Sequence, residues 1–176
     1  MDSYKKIIVI GCPGSGKSYF SKILANATHL PLYHLDMIYW KPNWVSTPRD
    51  EFDQIVKGIT DTDEWIIDGN YNRTIEDRLS KAELVYFLDL PTEVCLESVK
   101  ARFGVKRDDL PNYLEEKEDP EFINFIKDFK NTGRVKIITL IEKYKDKKVI
   151  TFTSREEINL YLNNYILNKD SRNKTI

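Results

Sequence analysis

The sequence predicts an α/β fold in which helices cover both faces of a five-stranded parallel sheet. Short apolar runs rich in β-branched residues recur along the chain and suit buried parallel strands. These runs alternate with segments in which apolar residues have helical spacing. The predicted strands are 5–10, 30–36, 64–71, 83–91 and 148–152. Because such sheets bind ligands at the carboxyl ends of their strands, functional side chains should gather at that edge.

Helices are predicted between the strands. The first covers 19–25, and the second starts at Thr47 and Pro48 and carries apolar residues at i, i+3, i+4 and i+7. Short helices follow over 74–79 and from 92 to about 102. Another helix begins at 119 and is broken at Gly133, and a further helix follows from Arg134. Ser154 and Glu157 form a capping box for the last helix. The aromatic segment 37–44 is predicted to be irregular, and either covers the core or offers a stacking surface to a planar substrate.

Length and composition favour one globular domain over 1–167, with a lid at about 104–133 and a polar tail at 168–176. The net charge is −1, so the chain has no overall attraction to a polyanion and no nucleic-acid partner is expected. Cys12 and Cys95 have neither metal-ligand spacing nor the pattern of a disulfide, which favours a reducing compartment. No apolar run is long enough to span a bilayer. The sequence therefore predicts a cytoplasmic protein that does not bind membranes.

The motif at 11–18 carries the strongest functional prediction. It reads GCPGSGKS and fits G-x-x-x-x-G-K-[ST] without a mismatch, between a predicted strand and a predicted helix. Its backbone N–H groups and the helix N-terminus would hold phosphates, Lys17 would reach the β- and γ-phosphates, and the Ser18 hydroxyl would bind Mg²⁺. The alternative is a glycine-rich turn with no ligand. The predicted ATP-binding residues are Gly11, Pro13, Gly14, Ser15, Gly16, Lys17, Ser18 and Tyr19.

Three predicted strands end in a carboxylate, at Asp36, Asp68 and Asp89. Asp68 is predicted to contact Mg²⁺ indirectly together with Ser18, because Mg²⁺ bound to phosphates takes few carboxylates. Asp36 is predicted to orient an acceptor hydroxyl or to accept its proton. The alternatives are a strand-end turn for Asp68 and a solvent-facing turn for Asp36. His29 and His34 are predicted to be packing or surface residues.

Basic residues in and around the predicted lid suit phosphoryl transfer, which needs cations around the transferred group. Arg102, Arg107 and Arg134 are the predicted catalytic cations, with Lys106 beside them. Closing such a lid would also exclude water from the transferred phosphoryl group. The alternatives are a cation at a helix C-terminus for Arg102 and a solvated loop for Lys106 and Arg107.

Taken together, these residues resemble the adenylate-kinase-like P-loop nucleoside and nucleotide kinases, and more narrowly the bacterial topology modulation (FlaR-type) P-loop proteins. The narrower resemblance rests on Asp36 to Trp40, on 68–71, on 107–111 and on Arg134. The resemblance implies a three-layer P-loop NTPase fold with strand order 2-3-1-4-5, and ATP with Mg²⁺ in the loop. Where adenylate kinases have Asp-Gly-Phe-Pro-Arg, this chain has DGNYNR at 68–73, a departure on the side that would bind AMP.

The function predicted is phosphoryl transfer from ATP to a small acceptor, a nucleoside monophosphate or a related molecule, by a monomer or homodimer. The alternative is a nucleotide-dependent regulatory switch or ATPase with no small-molecule acceptor. Lys17, Asp36, Arg102, Arg107 and Arg134 are the predicted catalytic residues. The predicted acceptor-binding residues are Asp36, Tyr39, Trp40, Asn70, Tyr71 and Arg73.

Overall fold

A computed structural model describes the backbone of residues 4–173 and the side chains of residues 4–165. Five parallel strands form one sheet in the order β2-β5-β1-β6-β7. Their bounds are β1 Lys6–Gly11, β2 Leu32–His34, β5 Trp65–Asp68, β6 Leu84–Leu88 and β7 Lys148–Phe152. Two further strands, β3 (Trp40–Lys41) and β4 (Val45–Ser46), form a separate hairpin and are not part of this sheet. When only the five strands of the sheet are numbered along the chain, their order is 2-3-1-4-5. The predicted fold class is confirmed.

Eight helices accompany the strands in the described part of the chain. They are α1 Lys17–Thr28, α2 Leu35–Tyr39, α3 Arg49–Thr60, α4 Ile75–Lys81, α5 Thr92–Ala101, α6 Pro120–Asp128, α7 Gly133–Lys143 and α8 Arg155–Asn173. The segment from 168 to 173 continues α8, and the rest of the predicted tail lies outside the described residues. None of the helices that the structure describes is both long and apolar enough to cross a bilayer.

The core lies on both sides of the central strand β1. Ile8, Val9 and Ile10 are fully buried, as expected for a parallel strand covered by helices on both faces. On one side, the ring of Phe20 in α1 lies 4.7 Å from that of Tyr86, measured between centroids. Burial of this apolar surface fixes the sheet and so fixes the strand ends from which the site is built.

The segment after β2 differs from the prediction. The strand ends at His34, and Asp36 lies in the first turn of α2 instead of at a strand end. The segment 37–44, predicted to be irregular, contains the end of α2, strand β3 and a 3-10 turn over Pro42–Trp44. In this hairpin Trp40 pairs with Ser46 and Lys41 pairs with Val45. Strands of two residues are too short to show the alternation of apolar and polar residues from which a strand is predicted.

Candidate active site

The loop between β1 and α1 has the shape of a phosphate cradle. Gly14 and Gly16 have φ of 84° and 95°, a region that glycine adopts without strain. A Cβ at Gly14 would lie 2.2 Å from the carbonyl oxygen of Cys95, so a side chain there would displace α5. The hydroxyl of Ser15 is fully buried and has no hydrogen-bond partner within the described residues. An unpaired polar atom inside a glycine cradle fits a loop that is completed by a bound phosphate.

Lys17 points back onto its own loop. Its Nζ donates to the carbonyl oxygens of Gly11 and Cys12, each at 3.0 Å. Burial lowers the pKa of Lys17, and the nearby carboxylates of Asp68 and Asp36 act in the opposite direction. A partly desolvated ammonium that bonds only to carbonyls can exchange them for phosphate oxygens with a gain in charge pairing.

The loop is anchored by the turn after β5. Asn70 Nδ2 donates to the Gly11 carbonyl oxygen at 2.8 Å, and Asn70 Oδ1 accepts from the Gly11 N–H at 3.1 Å. Arg78 is fully buried and holds the turn from the other side, because its guanidinium donates to the carbonyl oxygens of Gly69 (2.8 Å) and Asn70. Burial lowers the pKa of Arg78 to about 9, so it remains a cation at neutral pH. Asn70, predicted to bind the acceptor, therefore has its amide engaged with the phosphate loop.

Asp68 ends β5 and is almost fully buried. Its Oδ2 lies 2.8 Å from Nδ1 of His34. Burial lowers the pKa of His34, but the hydrogen bond and the charge of Asp68 outweigh it and raise the pKa above its usual value. His34 was predicted to be a packing or surface residue; its side chain is largely buried, and the parallel register of β2 and β5 also pairs it with Asp68, a polar contact that the prediction did not include.

The predicted protein contacts of Mg²⁺ are two oxygen donors, the Ser18 hydroxyl and the Asp68 carboxylate. No group of three His, Cys, Asp or Glu side chains suited to a metal forms among the described residues. This fits a cation that would be held mainly by phosphate oxygens and water, with Ser18 and Asp68 as protein contacts. Both residues line the same cleft.

Asp36 and Tyr71 form a pair on the other side of the cleft. The Tyr71 hydroxyl donates to Oδ1 of Asp36. Burial raises the pKa of Asp36, whereas the bond from Tyr71 and the charges of Lys17 and Arg107 lower it. Burial also raises the pKa of Tyr71, so the phenol stays protonated and remains the donor.

The segment 102–119, which overlaps the predicted lid at about 104–133, lines the cleft and is held by two arginines and two acids. Arg107 donates to both carboxylate oxygens of Asp109 and to Oε2 of Glu116 at 2.6 Å. Arg102 donates to Oε1 of Glu116 at 2.7 Å. Burial alone would raise the pKa of Asp109, but hydrogen bonds from Arg107 and from Ser18 lower it well below its usual range. The lid thus reaches the phosphate loop directly.

Further contacts hold the lid across the cleft. The Tyr113 hydroxyl donates to the Trp40 carbonyl oxygen at 2.9 Å, and Lys22 of α1 pairs with Asp108. Arg102 and Arg107, predicted as catalytic cations, line the cleft beside the loop. Each is already paired with an acid, so binding a triphosphate would require the arginines to exchange partners.

Two predicted arginines do not line the cleft. Arg73 bonds to Asp53 through Nε (3.1 Å) and Nη2, and its side chain is half exposed on the outer surface. Arg134 makes a two-point pair with Asp89, Nε to Oδ1 at 2.7 Å and Nη2 to Oδ2 at 2.8 Å. Acids satisfy both guanidinium groups in this structure, so neither arginine reaches the cleft, and their roles stay predictions. Tyr39 also stays out of the cleft wall, and its ring packs between Phe52 and Tyr71.

Sequence reasoning missed several cleft residues. Arg155 donates to the Gly14 carbonyl oxygen at 3.0 Å and to the Ser98 hydroxyl at 2.6 Å. Its place just after β7, at the carboxyl edge of the sheet, could have signalled it. Cys12 and Cys95 are both free and buried, although neither lines the cleft. Asp109 lies in the segment 107–111 that carried the resemblance but was given no role of its own. Glu116 and Tyr113 carried no signal, because their partners Arg102, Arg107 and Trp40 lie elsewhere in the chain.

The cleft has a volume of about 1570 Å³. A single small-molecule site occupies roughly 300–1,000 Å³, so this cleft has room for two ligands. The phosphate loop, Tyr19 and Arg155 line one part, and Asp36, Trp40, Trp44 and Tyr71 line the other. The arrangement could hold a nucleoside triphosphate and a second molecule face to face beneath one lid.

Comparison with known proteins shows the fold. The chain matches shikimate kinases from Aquifex aeolicus (16% identity, TM-score 0.53, 97% of this chain and 99% of that one) and from Bacteroides thetaiotaomicron (17%, 0.52, 92% and 96%). It also matches shikimate kinase from Acinetobacter baumannii in complex with shikimate (13%, 0.59, 94% of each chain). No protein-family model and no curated protein matches the sequence. The predicted P-loop fold is therefore confirmed, and the narrower resemblance to topology modulation proteins stays a prediction.

Proposed function

We propose that this protein is an ATP- and Mg²⁺-dependent kinase that transfers the γ-phosphoryl group to a small acceptor, a nucleoside monophosphate or a related molecule. The observation that carries the proposal is that one cleft holds a phosphate loop and, in its other part, a buried carboxylate bonded to a tyrosine. A phosphate loop alone serves kinases, ATPases and switches equally. A buried carboxylate in a second ligand space is the part that only an acceptor requires.

The donor side would be assembled from the loop. Backbone N–H groups of 14–18 and Lys17 would bind the phosphates, and Mg²⁺, contacted by Ser18 and Asp68, would neutralise charge on them. His34 holds the Asp68 carboxylate through its ring N–H. Arg155 lies at the edge of the same loop and could follow it as the loop closes on a triphosphate.

Asp36 would orient the acceptor hydroxyl and take its proton as the new O–P bond forms and the bond from Pγ to the ADP oxygen breaks. The raised pKa of Asp36 makes the carboxylate a better proton acceptor than an exposed aspartate. Tyr71 keeps the carboxylate in one orientation. Arg102 and Arg107 of the lid would supply positive charge near the transferred group, and the closed lid would keep water away.

The test is a screen of acceptors with the full chain, ATP and Mg²⁺, scored by ADP formation with and without nucleosides, nucleoside monophosphates, small polyols and shikimate. The proposal expects ADP to appear only with a suitable acceptor, matched by an equal amount of phosphorylated product. Lys17→Ala is the control for loop-dependent turnover. Equal ADP formation with and without every acceptor would instead favour the ATPase or switch.

A further inference from the structure

One part of the cleft has the walls of a stacking site. We name it the acceptor pocket, formed by Asp36, Trp40, Asn43, Trp44, Tyr71 and Tyr113. The indole rings of Trp40 and Trp44 meet edge to face with centroids 5.3 Å apart. Trp44 is 40% exposed although it lines a cleft, so part of a large apolar face is open to a ligand. Aromatic faces placed this way bind flat rings.

The turn that presents Trp44 is strained. Asn43 and Trp44 have φ of 61° and 59°. Two consecutive non-glycine residues in the left-handed region are uncommon, and a tryptophan there is a clear outlier. The hairpin pairing of β3 with β4 on either side holds the turn in this conformation. Such strain is maintained where a side chain has to be placed for a ligand.

The acceptor pocket offers no unpaired positive charge. Lys22 pairs with Asp108, and Arg107 pairs with Asp109 and Glu116. Arg73, beyond the pocket wall, pairs with Asp53. The remaining Lys and Arg side chains that line the cleft in the described part of the chain each have a partner as well: Lys17, Arg102, Lys117 and Arg155. Of these, Lys17 and Arg155 bond to the phosphate loop, on the donor side.

The charge that the acceptor pocket does contain is negative. Asp36 is partly buried within it, and Asp68 also lines the cleft. Arg102 and Arg107 would exchange their acids for the transferred phosphoryl group, so an acceptor that carried a second phosphate would place a dianion near carboxylates with no further cation released to bind it, which costs free energy. A neutral acceptor with hydroxyl groups meets no such repulsion, and its hydroxyls can donate to Asp36.

We propose that the acceptor is an uncharged compound that joins a flat ring to a hydroxylated arm, with nucleosides as the chemical class, the ring against Trp44 and a hydroxyl on Asp36. The inference rests on the proposed kinase activity and narrows its acceptor from nucleoside monophosphates to nucleosides. The hydroxyl oxygen would form the bond to Pγ, ADP would leave, and the hydroxyl proton would pass to the Asp36 carboxylate.

The experiment compares each nucleoside with its own 5′-monophosphate at equal concentration, using the full chain with ATP and Mg²⁺. We expect kcat/KM to be at least 10-fold higher for the best nucleoside than for its monophosphate, and higher than for shikimate or a polyol. A monophosphate, shikimate or polyol that matches or exceeds every nucleoside would overturn this inference while leaving the kinase proposal standing. Hydrolysis of ATP with no phosphorylated acceptor of any kind would overturn both.

Two variants test the stacking wall. Trp44→Ala should raise KM for the nucleoside 5-fold or more and leave KM for ATP unchanged, since base stacking on an aromatic side chain is lost. Trp44→Phe should recover part of the affinity. Val45→Ala is the matched control, because Val45 is the next residue in the hairpin, is 56% exposed and does not line the cleft. An unchanged KM in Trp44→Ala, or an equal rise in Val45→Ala, would remove Trp44 from the acceptor pocket.

Discussion

Replacing Tyr71 with phenylalanine tests how Asp36 is held. The substitution removes the hydroxyl that donates to Asp36 and keeps the ring, whose centroid lies 4.7 Å from that of Tyr39 and 5.0 Å from that of Phe52. A hydrogen bond to a charged group contributes about 1.5–3 kcal/mol, so acceptor turnover should fall roughly 10- to 150-fold. KM for ATP should not change, because the pair lies on the acceptor side.

The pH profile separates positioning from a merely structural effect. Burial raises the pKa of Asp36, and the charge of Asp68 raises it further. The hydrogen bond from Tyr71 and the charges of Lys17 and Arg107 lower this pKa. Removing the bond therefore raises this pKa, and the acid limb of the kcat profile should move to higher pH. The loss in turnover should be greatest at low pH and smaller as pH rises.

The matched control is Tyr144→Phe, which removes a hydroxyl that donates to Glu76 at 3.2 Å. Neither Tyr144 nor Glu76 lines the cleft. We expect its turnover and acid limb to equal those of the wild type. If Tyr71→Phe loses turnover while its acid limb stays in place, Asp36 is not the group that titrates in the acceptor reaction, and its role as proton acceptor is refuted.

Four further substitutions probe the loop, the metal, the turn and the buried carboxylate. Lys17→Ala should lower kcat at least 100-fold with little change in melting temperature, because the side chain bonds only to loop carbonyls; steady-state kinetics and thermal melting check this. Asp68→Asn should raise the Mg²⁺ concentration for half-maximal activity about 10-fold and affect KM for ATP less, as a Mg²⁺ titration would show. Arg78→Ala should lower the free energy of unfolding by about 2–4 kcal/mol in urea titration, since it leaves buried carbonyl groups unpaired. Asp36→Asn should abolish most acceptor turnover and yet raise the melting temperature by about 2–4 °C at neutral pH, because the burial that raises the pKa of Asp36 penalises its charged form. At a pH below the unfolded-state pKa of an aspartate, the carboxyl group is protonated in both states, so this gain in melting temperature should vanish.

Most of the fold could be predicted from local sequence. The glycine motif is contiguous and lies between an apolar strand and a helix, so loop, β1 and α1 follow from one short segment. The apolar runs of β5 and β6 are fully buried and carry the same signal. In the edge strand β7 only Phe152 is buried, and its short apolar run was still sufficient to predict a strand. The hairpin β3–β4 escaped prediction because its strands have two residues each, too short for an alternating pattern to show.

The site was most predictable where a motif or a strand end places the residue. Lys17, Ser18 and Asp68 come from a motif and a strand end, and all three line the cleft. Arg73 and Arg134 look equally suited in the sequence, but Asp53 and Asp89 neutralise them at the surface, and partners 20 and 45 residues away leave no local signal. Arg102 and Arg107 are paired with acids as well, but they line the cleft, so the folded position of each arginine decides whether it can reach a substrate.

The fate of the γ-phosphoryl group of ATP tests the central claim most directly. The full chain would be incubated with ATP, Mg²⁺ and a nucleoside, and the phosphorus of the products followed by ³¹P NMR, with Asp36→Asn in parallel. The account predicts a new phosphate monoester that grows at the rate of ADP formation in the wild type and is nearly absent in Asp36→Asn. Release of the γ-phosphoryl group only as inorganic phosphate, at one rate with and without every acceptor tried, would contradict it.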